Sequence, residues 1–270
     1  MKDFLFKLII AKNAQFKNVY KGESCYIFGN GASIKSLDLN DFNDLHSISI
    51  NLMNLHKDFE KLNSCGYVLP ESYFFYRYFI NPYDKKIKEN IIGNLFRTKI
   101  RQFPDLKLFT SVTNFFGAPT RNTFFFHHFE KKLPDKKFVD LAHEFSFIAG
   151  GLYAAIGLAI YFGFHKIILV GCDYFFSPRE YGHFYSLPSK SSKLDYSNPY
   201  PQLILQSKEL IDIEILCLDN SSDWLKNIKY TNFCSKPLKY KENHEIVDNY
   251  SLSEMHRAYE DQQFQHRVLE

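Results

Sequence analysis

The chain lacks the features that mark several large classes of proteins. Its five cysteines are odd in number and form no C-x-x-C pair, so a zinc site is not indicated. The apolar N-terminal run is too short to span a bilayer, and no secretory signal is seen. The net charge of +3 and the pI near 8.4 are too mild for a nucleic-acid-binding protein. They suit an anionic small ligand or an anionic membrane surface.

The chain has enough apolar residues to form a substantial hydrophobic core. The 270 residues are 45% hydrophobic and 17% aromatic, with 28 Phe and 18 Tyr. This length and composition predict one large α/β domain, or one domain with a smaller lobe. Cys25, Cys172 and Cys217 lie inside apolar runs typical of strands, as small core residues of a reducing compartment would. We therefore predict a cytoplasmic protein.

Residues 1–22 are predicted to form an N-terminal helix. The run "MKDFLFKLIIAKNAQFK" places Phe4, Leu5, Leu8, Ile9 and Ile10 between lysines. Such a helix can lie on a membrane, here the cytoplasmic face of the inner membrane. It can equally pack on the domain that follows. The sequence leaves both alternatives open.

Residues 23–230 alternate between buried strands and helices. The predicted strands are "SCYIF", "HSISIN", "GYVL", "KLFTSV", "KIILVGCD" and "DIEILCLD". A helix is predicted over Gly151–Phe162, because an apolar run starts at glycines and stops at Gly163. Continuous apolar strands indicate a parallel sheet covered on both faces. The fold class is therefore predicted as α/β, a Rossmann-like doubly wound, mostly parallel sheet.

Two further parts of the chain carry weaker patterns. Segments at about 113–147 and 176–200 have no clean period and are predicted to form a small lid. Residues 231–270 form a polar C-terminal tail with a candidate helix over Ser251–Leu269. That helix either mediates contacts in a homo-oligomer or is a solvated end, and the solvated end is favoured.

Ligands of open parallel sheets bind beyond the carboxyl ends of the strands. Polar residues follow several predicted strands there. They are Gly29, Asn30, Gly31, Ser33, Asn51, Ser72, Asp173, Tyr174, Tyr181, His183, Asn220 and Ser221.

The loop "GNGAS" after the first strand is the most suggestive of these. It lacks the third glycine of a dinucleotide fingerprint and the Gly-Lys-Ser/Thr of a P-loop. Asn51 stands where an acidic ribose ligand of an NAD site would be. A plain strand–helix turn is the alternative interpretation, but the position after the first strand favours a nucleotide site.

The stretch "GCDYFFSPREYGHFY" is the densest polar cluster on this edge. His183 can act as a general base or acid near neutral pH. Tyr174, Tyr181 and Tyr185 carry hydroxyl groups that can stabilise a departing phosphate without a metal. No D-x-D motif and no G-x-S-x-G elbow occurs. An ordinary loop histidine is the alternative interpretation of His183.

These motifs resemble a known group of enzymes. "IFGNGASIKSLD", "ISIN", "AGGLYAAIGLAIYFGFHKIILVGCDYFF" and "LCLDNSS" are similar to the bacterial sialyltransferases of glycosyltransferase family 42. They also resemble flagellin nonulosonate transferases of the motility-associated-factor type and the domain shared with archaeal hydroxymethylpterin pyrophosphokinases. The resemblance covers roughly residues 23–225. It implies a GT-A-like variant of the Rossmann-like fold.

The resemblance also implies roles for particular residues. Asn30 and its flanking glycines would contact CMP, as would Asn51, with Asn220 and Ser221 near the cytosine. The backbone of Gly150 and Gly151 would replace a donor-binding serine, and Asp173 would belong to the same donor site. Tyr181 would stabilise the leaving phosphate. Phe175 occupies the place of a second tyrosine, so Tyr174 or Tyr185 would serve, and His183 would be the base.

The implied activity is transfer of sialic acid, Kdo or a related nonulosonate. The donor would be a CMP-sugar, and the acceptor a cell-surface glycan on lipid or protein, as in lipopolysaccharide or capsule biosynthesis. The reaction would be inverting, metal-independent and without a cofactor. Two alternatives stay open: a pyrophosphokinase-like phosphotransferase, and a non-catalytic nucleotide-binding module in envelope assembly.

Overall fold

A parallel eight-stranded sheet forms the centre of the molecule. The structure is a computed structural model, and it describes residues 2–80, 85–127, 139–148, 150–176, 182–186, 204–234 and 236–261. The sheet order is β10-β9-β8-β1-β2-β3-β6-β7, and every pair in it is parallel. A separate antiparallel pair, β4–β5, follows β3. The predicted α/β class with a mostly parallel sheet is confirmed.

The strands have the following bounds: β1 Ser24–Phe28, β2 His46–Ile50, β3 Ser64–Leu69, β4 Tyr78–Ile80, β5 Ile87–Glu89, β6 Leu108–Ser111, β7 Thr123–Phe126, β8 Lys166–Val170, β9 Asp212–Cys217 and β10 Lys226–Lys229. The α-helices are α1 Lys2–Ala11, α2 Ile91–Ile100, α3 Gly151–Phe162, α4 Tyr230–Phe233, α5 Asn243–Ile246 and α6 Asn249–Glu260. No helix in these described parts is long and apolar enough to cross a bilayer.

Both faces of the sheet are covered, which explains the continuous apolar strands. In β1, Cys25 and Ile27 point into one core, and Tyr26 and Phe28 point into the other. Successive strand residues face opposite sides, so a strand buried on both sides carries apolar residues at every position. Helix α3 packs across β1, β2 and β3 in the first core, while α2 and α6 close the second.

Helix α3 has the predicted bounds, and glycines set them. Gly150 precedes it with a φ of 92°, and Gly163 ends it with a φ of 88° in the left-handed region. Gly163 forms a C-terminal cap of the kind glycine favours, because a side chain is strained at that φ. Nearly the whole helix is buried, which is why its sequence shows no polar face.

The segment predicted as the first part of a lid contains a strand of the main sheet. Strand β7 pairs with β6 at the sheet edge. The run "TFFFHH" has no turn signal and no alternation, so its pairing could not be recognised from local pattern. Residues 128–138 of that predicted lid, and residues 177–181 and 187–200 of the second one, lie outside the described residues.

Helix α1 packs on the domain and also presents an apolar face to solvent. Phe6 stacks on His127 at 5.5 Å between ring centroids, and Ile10 is buried. Beyond the helix, Asn13 donates hydrogen bonds to the carbonyl oxygens of Phe125 and Leu141. Leu5 and Leu8 are each 54% exposed. The helix therefore packs against the edge of the sheet with one side only.

The C-terminal helix packs on the domain over its described part, where a solvated end was favoured from the sequence; residues 262–269 of the predicted helix lie outside the described residues. Helix α6 is capped by Asp248, which accepts a hydrogen bond from the Ser251 N–H. Its inner side buries Ala258 and places Met255 and Tyr259 in the second core. The buried positions Ser251, Met255, Ala258 and Tyr259 have the spacing of one helix face. Only two of these side chains are large and apolar, so the polar composition of the region concealed this face.

Replacing Met255 by alanine tests this packing. We expect a loss of about 2–4 kcal/mol in the free energy of unfolding, because a buried side chain is replaced by a cavity. The matched control is Tyr250→Ala in the same helix, which is exposed and should cost less than about 0.5 kcal/mol. Urea unfolding followed by circular dichroism measures both. Equal, small effects would mean that the helix is solvated after all.

Candidate functional site

The candidate site lies where the direction of the sheet reverses. From β1 the chain adds β2, β3, β6 and β7 on one side, and then returns to add β8, β9 and β10 on the other. The loops that leave the carboxyl ends of β1 and β8 therefore lead to connections that cover opposite faces of the sheet. Such switch points are the usual ligand sites of open α/β sheets.

The Gly-Asn-Gly loop is packed directly against the loop after β8. The Gly29 N–H donates to the carbonyl oxygen of Val170 at 2.7 Å, and the Gly31 N–H donates to that of Gly171 at 2.8 Å. A Cβ on Gly29 would lie 2.4 Å from the Gly171 oxygen. These glycines are therefore required by loop–loop packing, since the space beside them is filled by protein.

Asp173 and Ser33 hold this arrangement together. The buried Asp173 carboxylate accepts a hydrogen bond from the Ser33 N–H at 2.8 Å and another from the Ser33 hydroxyl. The same carboxylate lies against Gly31, where an added Cβ would approach it to 2.3 Å. Both residues were predicted to contact a ligand. In this structure their polar atoms bond to each other, which makes them positioning residues for the loop.

Asn30 is the residue of the loop that this packing leaves unsatisfied. It is only 5% exposed, and neither its Oδ1 nor its Nδ2 has a hydrogen-bond partner among the described residues. About nine in ten buried polar groups in proteins are hydrogen-bonded. An unsatisfied buried amide costs about 1–3 kcal/mol. A side chain retained at that cost indicates a partner that binds from outside the chain.

Asn51 approaches the start of α3 from the neighbouring strand. Its backbone is left-handed with a φ of 50°, and its carbonyl oxygen accepts a hydrogen bond from the Tyr67 hydroxyl at 2.7 Å. Its Oδ1 is buried, has no partner among the described residues, and would lie 2.5 Å from a Cβ on Gly151. In the described chain, no side chain caps α3 at Gly150. The first N–H groups of a helix favour an anionic or electron-rich partner.

The segment 182–186 brings His183 to the same loop. Gly31 and His183 form an antiparallel bridge, and the Phe184 N–H donates to the Asn30 carbonyl oxygen at 3.0 Å. The His183 side chain is exposed and lies 5.1 Å from the Tyr185 ring, centroid to centroid. The structure therefore places the predicted base beside the predicted nucleotide loop. The predicted catalytic residue Tyr181 lies outside the described residues.

The other two predicted tyrosines occupy different environments. Tyr174 is half-buried, with its ring 4.9 Å from that of Phe175. Tyr185 is buried in the second core, and burial raises the pKa of its hydroxyl well above the usual value. A phenol held neutral in this way can act only as a hydrogen-bond donor or acceptor near neutral pH.

The C-terminal region supports the His183 segment. The Asn243 side-chain N–H donates to the Ser186 carbonyl oxygen at 2.7 Å, and the Ser186 hydroxyl lies 3.3 Å from that of Tyr259. The Ser186 hydroxyl also accepts the His183 N–H at 3.2 Å. The contacts of Asn243 and Tyr259 with Ser186 were not predicted, because they join segments more than fifty residues apart in the chain.

The loop after β9 contributes the far end of the edge. Asn220 has a buried Oδ1 without a partner in the described chain, whereas Ser221 is exposed. Asn227 of β10 closes this loop by accepting the Ser222 N–H at 2.7 Å and donating to the Ser222 carbonyl oxygen at 2.9 Å. Three predicted asparagines, Asn30, Asn51 and Asn220, thus present unsatisfied amide oxygens at the carboxyl edge of one sheet.

No protein-family model, curated protein or solved structure matches the chain. Within the described ranges, no three His, Cys, Asp or Glu side chains come together as a metal site. The proposed function therefore depends on the geometry of the edge and on the motif resemblance.

Two polar residues at this edge were missed by sequence reasoning. Glu71 follows β3 and is exposed as a residue. Protein atoms around its carboxyl group partly remove the hydration of the charged form, which raises its pKa to about 6. Its charge also contributes to the raised pKa of Tyr185. His56 follows β2 and is buried against Phe184. Their positions after predicted strands were the available signal, but neither strand end carried a recognisable motif.

The protonation state of His56 follows from its contacts. Its Nδ1 accepts the Asp58 N–H at 3.1 Å, so the neutral ring carries its proton on Nε2. Nε2 is buried without a partner among the described residues. Burial lowers the pKa of His56 to about 4, because the charged form loses its hydration.

His56 should make the stability of the protein depend on acid. Below pH 6.5 the His56 ring is protonated in the unfolded state, whereas in the folded state it stays neutral down to about pH 4. We therefore expect stability to fall between pH 6.5 and pH 4, by on the order of 1–3 kcal/mol. In His56→Gln this contribution disappears. The measurement is the urea midpoint as a function of pH, with the exposed His143→Gln as control. Parallel pH curves for the wild type and His56→Gln would contradict the assignment.

Proposed function

We propose that the protein is a glycosyltransferase that moves sialic acid or a related nonulosonate, or Kdo, from a CMP-activated donor to a glycan. The observation that carries the proposal is the buried, unsatisfied Asn30 amide at the β1/β8 switch point. An amide offers one donor group and one acceptor. It can therefore bond to phosphate or ribose oxygen through Nδ2 and to a hydroxyl group through Oδ1. The sugar and the base are proposed from the motif resemblance.

The donor would extend along the edge from Asn51 to Asn220. The CMP phosphate is assigned to Asn30 and to the uncapped start of α3 at Gly150 and Gly151, because helix N-termini favour anions. Cytosine is assigned to Asn220 and Ser221, whose loop Asn227 holds in place. Asp173 and Ser33 keep the phosphate loop in shape, and ligand contact is not required of them.

The reaction needs one base and stabilisation of one developing charge. His183 accepts the proton of the acceptor hydroxyl, whose oxygen forms a bond to the anomeric carbon. The bond from that carbon to the CMP phosphate oxygen breaks with inversion, and CMP leaves with the bonding electron pair. Negative charge on the phosphate is stabilised by N–H and O–H donors. Tyr181 is proposed as one of these donors on the resemblance alone.

The proposed site is a GT-A-like variant of the Rossmann-like fold. It would act at the cytoplasmic face of the inner membrane on a lipid- or protein-linked glycan. The acceptor would be a precursor of lipopolysaccharide or capsule. CMP is a good leaving group, so the proposed chemistry does not require a divalent metal.

Phosphotransfer of the pyrophosphokinase type ranks second, for one reason. It would rely on carboxylates at the strand ends to hold Mg²⁺. Asp173 is the best placed of these, and its two oxygens already accept the N–H and hydroxyl hydrogens of Ser33. A non-catalytic nucleotide-binding module would use the same asparagines without turnover.

Nucleotide binding can be tested on Asn30 by thermal shift. At a CMP concentration of about 100 Kd, binding to the folded state stabilises it by about 2.7 kcal/mol. We expect CMP or CDP to raise Tm, and ADP or UDP not to. Asn30→Ala should lose the CMP shift while keeping or raising the Tm of the free protein, because its amide makes no hydrogen bond with the described chain.

The matched control is Asn13→Ala, another buried asparagine. Asn13 donates two hydrogen bonds far from the site, so its removal should lower Tm and leave the CMP shift intact. Stabilisation by ADP in place of CMP, or a full CMP shift in Asn30→Ala, would overturn the donor assignment.

His183 can be tested separately by turnover. His183→Ala should slow CMP release from CMP-sialic acid by about 10²–10⁴-fold and retain the CMP thermal shift, because its ring takes up the proton and is not assigned to CMP. His143→Ala, also an exposed histidine, should behave as wild type. An unchanged rate in His183→Ala would refute the base, and turnover that requires ATP and stops with EDTA would favour phosphotransfer.

A further inference from the structure

Six large apolar side chains are exposed on the segments that follow β3 and β6. Phe116 is 89% exposed, Ile87 75% and Ile80 67%. Isolated exposed apolar residues are ordinary, whereas a concentration of them marks an interaction surface. We call this set the apolar rim; its members are Tyr73, Tyr78, Ile80, Ile87, Phe115 and Phe116.

The β4–β5 hairpin presents the aliphatic part of the rim. Ile80 and Ile87 are direct cross-strand partners, so their side chains lie on the same face. Tyr78, two residues before Ile80, shares that face. The hairpin is attached to α6 by the ion pairs Lys88–Asp261 and Arg257–Glu89. Lys88 lies on the face opposite Ile80 and Ile87, so its ion pair turns that opposite face towards the end of α6, whereas Glu89 pairs with Arg257 from the end of β5. Ile80 and Ile87 themselves remain exposed.

The aromatic part of the rim is hydrogen-bonded to the segment between β3 and β4. Phe115 and Phe116 lie in the 3₁₀ turn Val112–Gly117 after β6. Thr113 Oγ1 accepts the Tyr73 N–H at 3.1 Å, and the Thr113 carbonyl oxygen accepts the Tyr76 hydroxyl hydrogen at 3.2 Å. Because β3 and β6 are parallel neighbours, both segments leave the sheet at the carboxyl edge, which also carries the candidate site.

The charge of this part of the chain is positive. Residues 72–127 contain nine Lys and Arg against three Asp and Glu, a net charge of +6, whereas the whole chain carries +3. Lys85 and Lys86 directly precede Ile87, and the Arg77 guanidinium lies 5.3 Å from the Tyr78 ring centroid. Basic groups beside apolar and aromatic side chains are typical of surfaces that enter the interface of an anionic bilayer.

We propose that the apolar rim docks on an anionic lipid bilayer, with Ile80, Ile87 and Phe116 entering the headgroup region. This surface is distinct from the N-terminal helix and goes beyond the proposed activity. A second copy of the chain fits the same surface less well, because a twofold contact would bring two positive patches together. Anionic lipid headgroups complement that charge. Docking in this way turns the carboxyl edge of the sheet towards the membrane.

Vesicle co-sedimentation with the full chain tests the proposal. We expect binding to vesicles of phosphatidylcholine mixed with phosphatidylglycerol, weak binding to phosphatidylcholine alone, and release by salt. The double variant Ile80→Ser/Ile87→Ser and, independently, Phe116→Ser should each reduce the partition coefficient by about fivefold or more. Leu210→Ser is the control, since Leu210 is exposed but precedes β9 at the opposite edge of the sheet.

Several outcomes would overturn the inference. These are no binding to anionic vesicles, equal loss in Leu210→Ser, or loss only in Leu5→Ser/Leu8→Ser on α1. A concentration-dependent dimer that the rim variants abolish, without vesicle binding, would assign the surface to a second copy. The assay contains no sugar nucleotide, and Asn30→Ala should bind vesicles normally. Failure of the membrane proposal is therefore distinguishable from failure of the proposed function.

Discussion

The packing of the β1 loop against the β8 loop is the constraint on which the rest of the site depends. Asp173 accepts two hydrogen bonds from Ser33, and neither Gly29 nor Gly31 has room for a side chain beside the opposite loop. These contacts hold the loop in a conformation that buries Asn30, whose amide has no hydrogen-bond partner in the described parts of the chain. The proposed binding residue is thus the one that the hydrogen bonds of this loop leave unsatisfied.

The buried Asn30 amide is also the reason to expect a ligand at this edge of the sheet. A fold optimised only for stability would place an apolar side chain there, because a buried amide without hydrogen bonds is costly. Asn51 and Asn220 repeat the pattern on neighbouring loops. Functional sites are where a structure is expected to depart from the rules it follows elsewhere.

The C-terminal region changes the account of the second core and of the site. Met255 and Tyr259 complete that core, and Asn243 and Tyr259 hold the segment that carries His183. A region that looks like a polar tail therefore positions the proposed base. The helical spacing of these buried residues is present in the sequence. The polar composition of the region outweighed it in the prediction, although two large apolar side chains are enough when a neighbouring core receives them.

The sequence by itself determined the class of the fold, the bounds of α3 and the edge of the sheet that gathers Asn30, Asn51 and His183. These follow from local rules: apolar runs make buried strands, Gly163 stops a helix, and parallel strands bring their carboxyl ends together. Only the tertiary structure decided what the glycines are for and which residue accepts the hydrogens of Ser33. That pairing joins residues 140 positions apart, and contacts of such separation leave no local pattern in a single sequence.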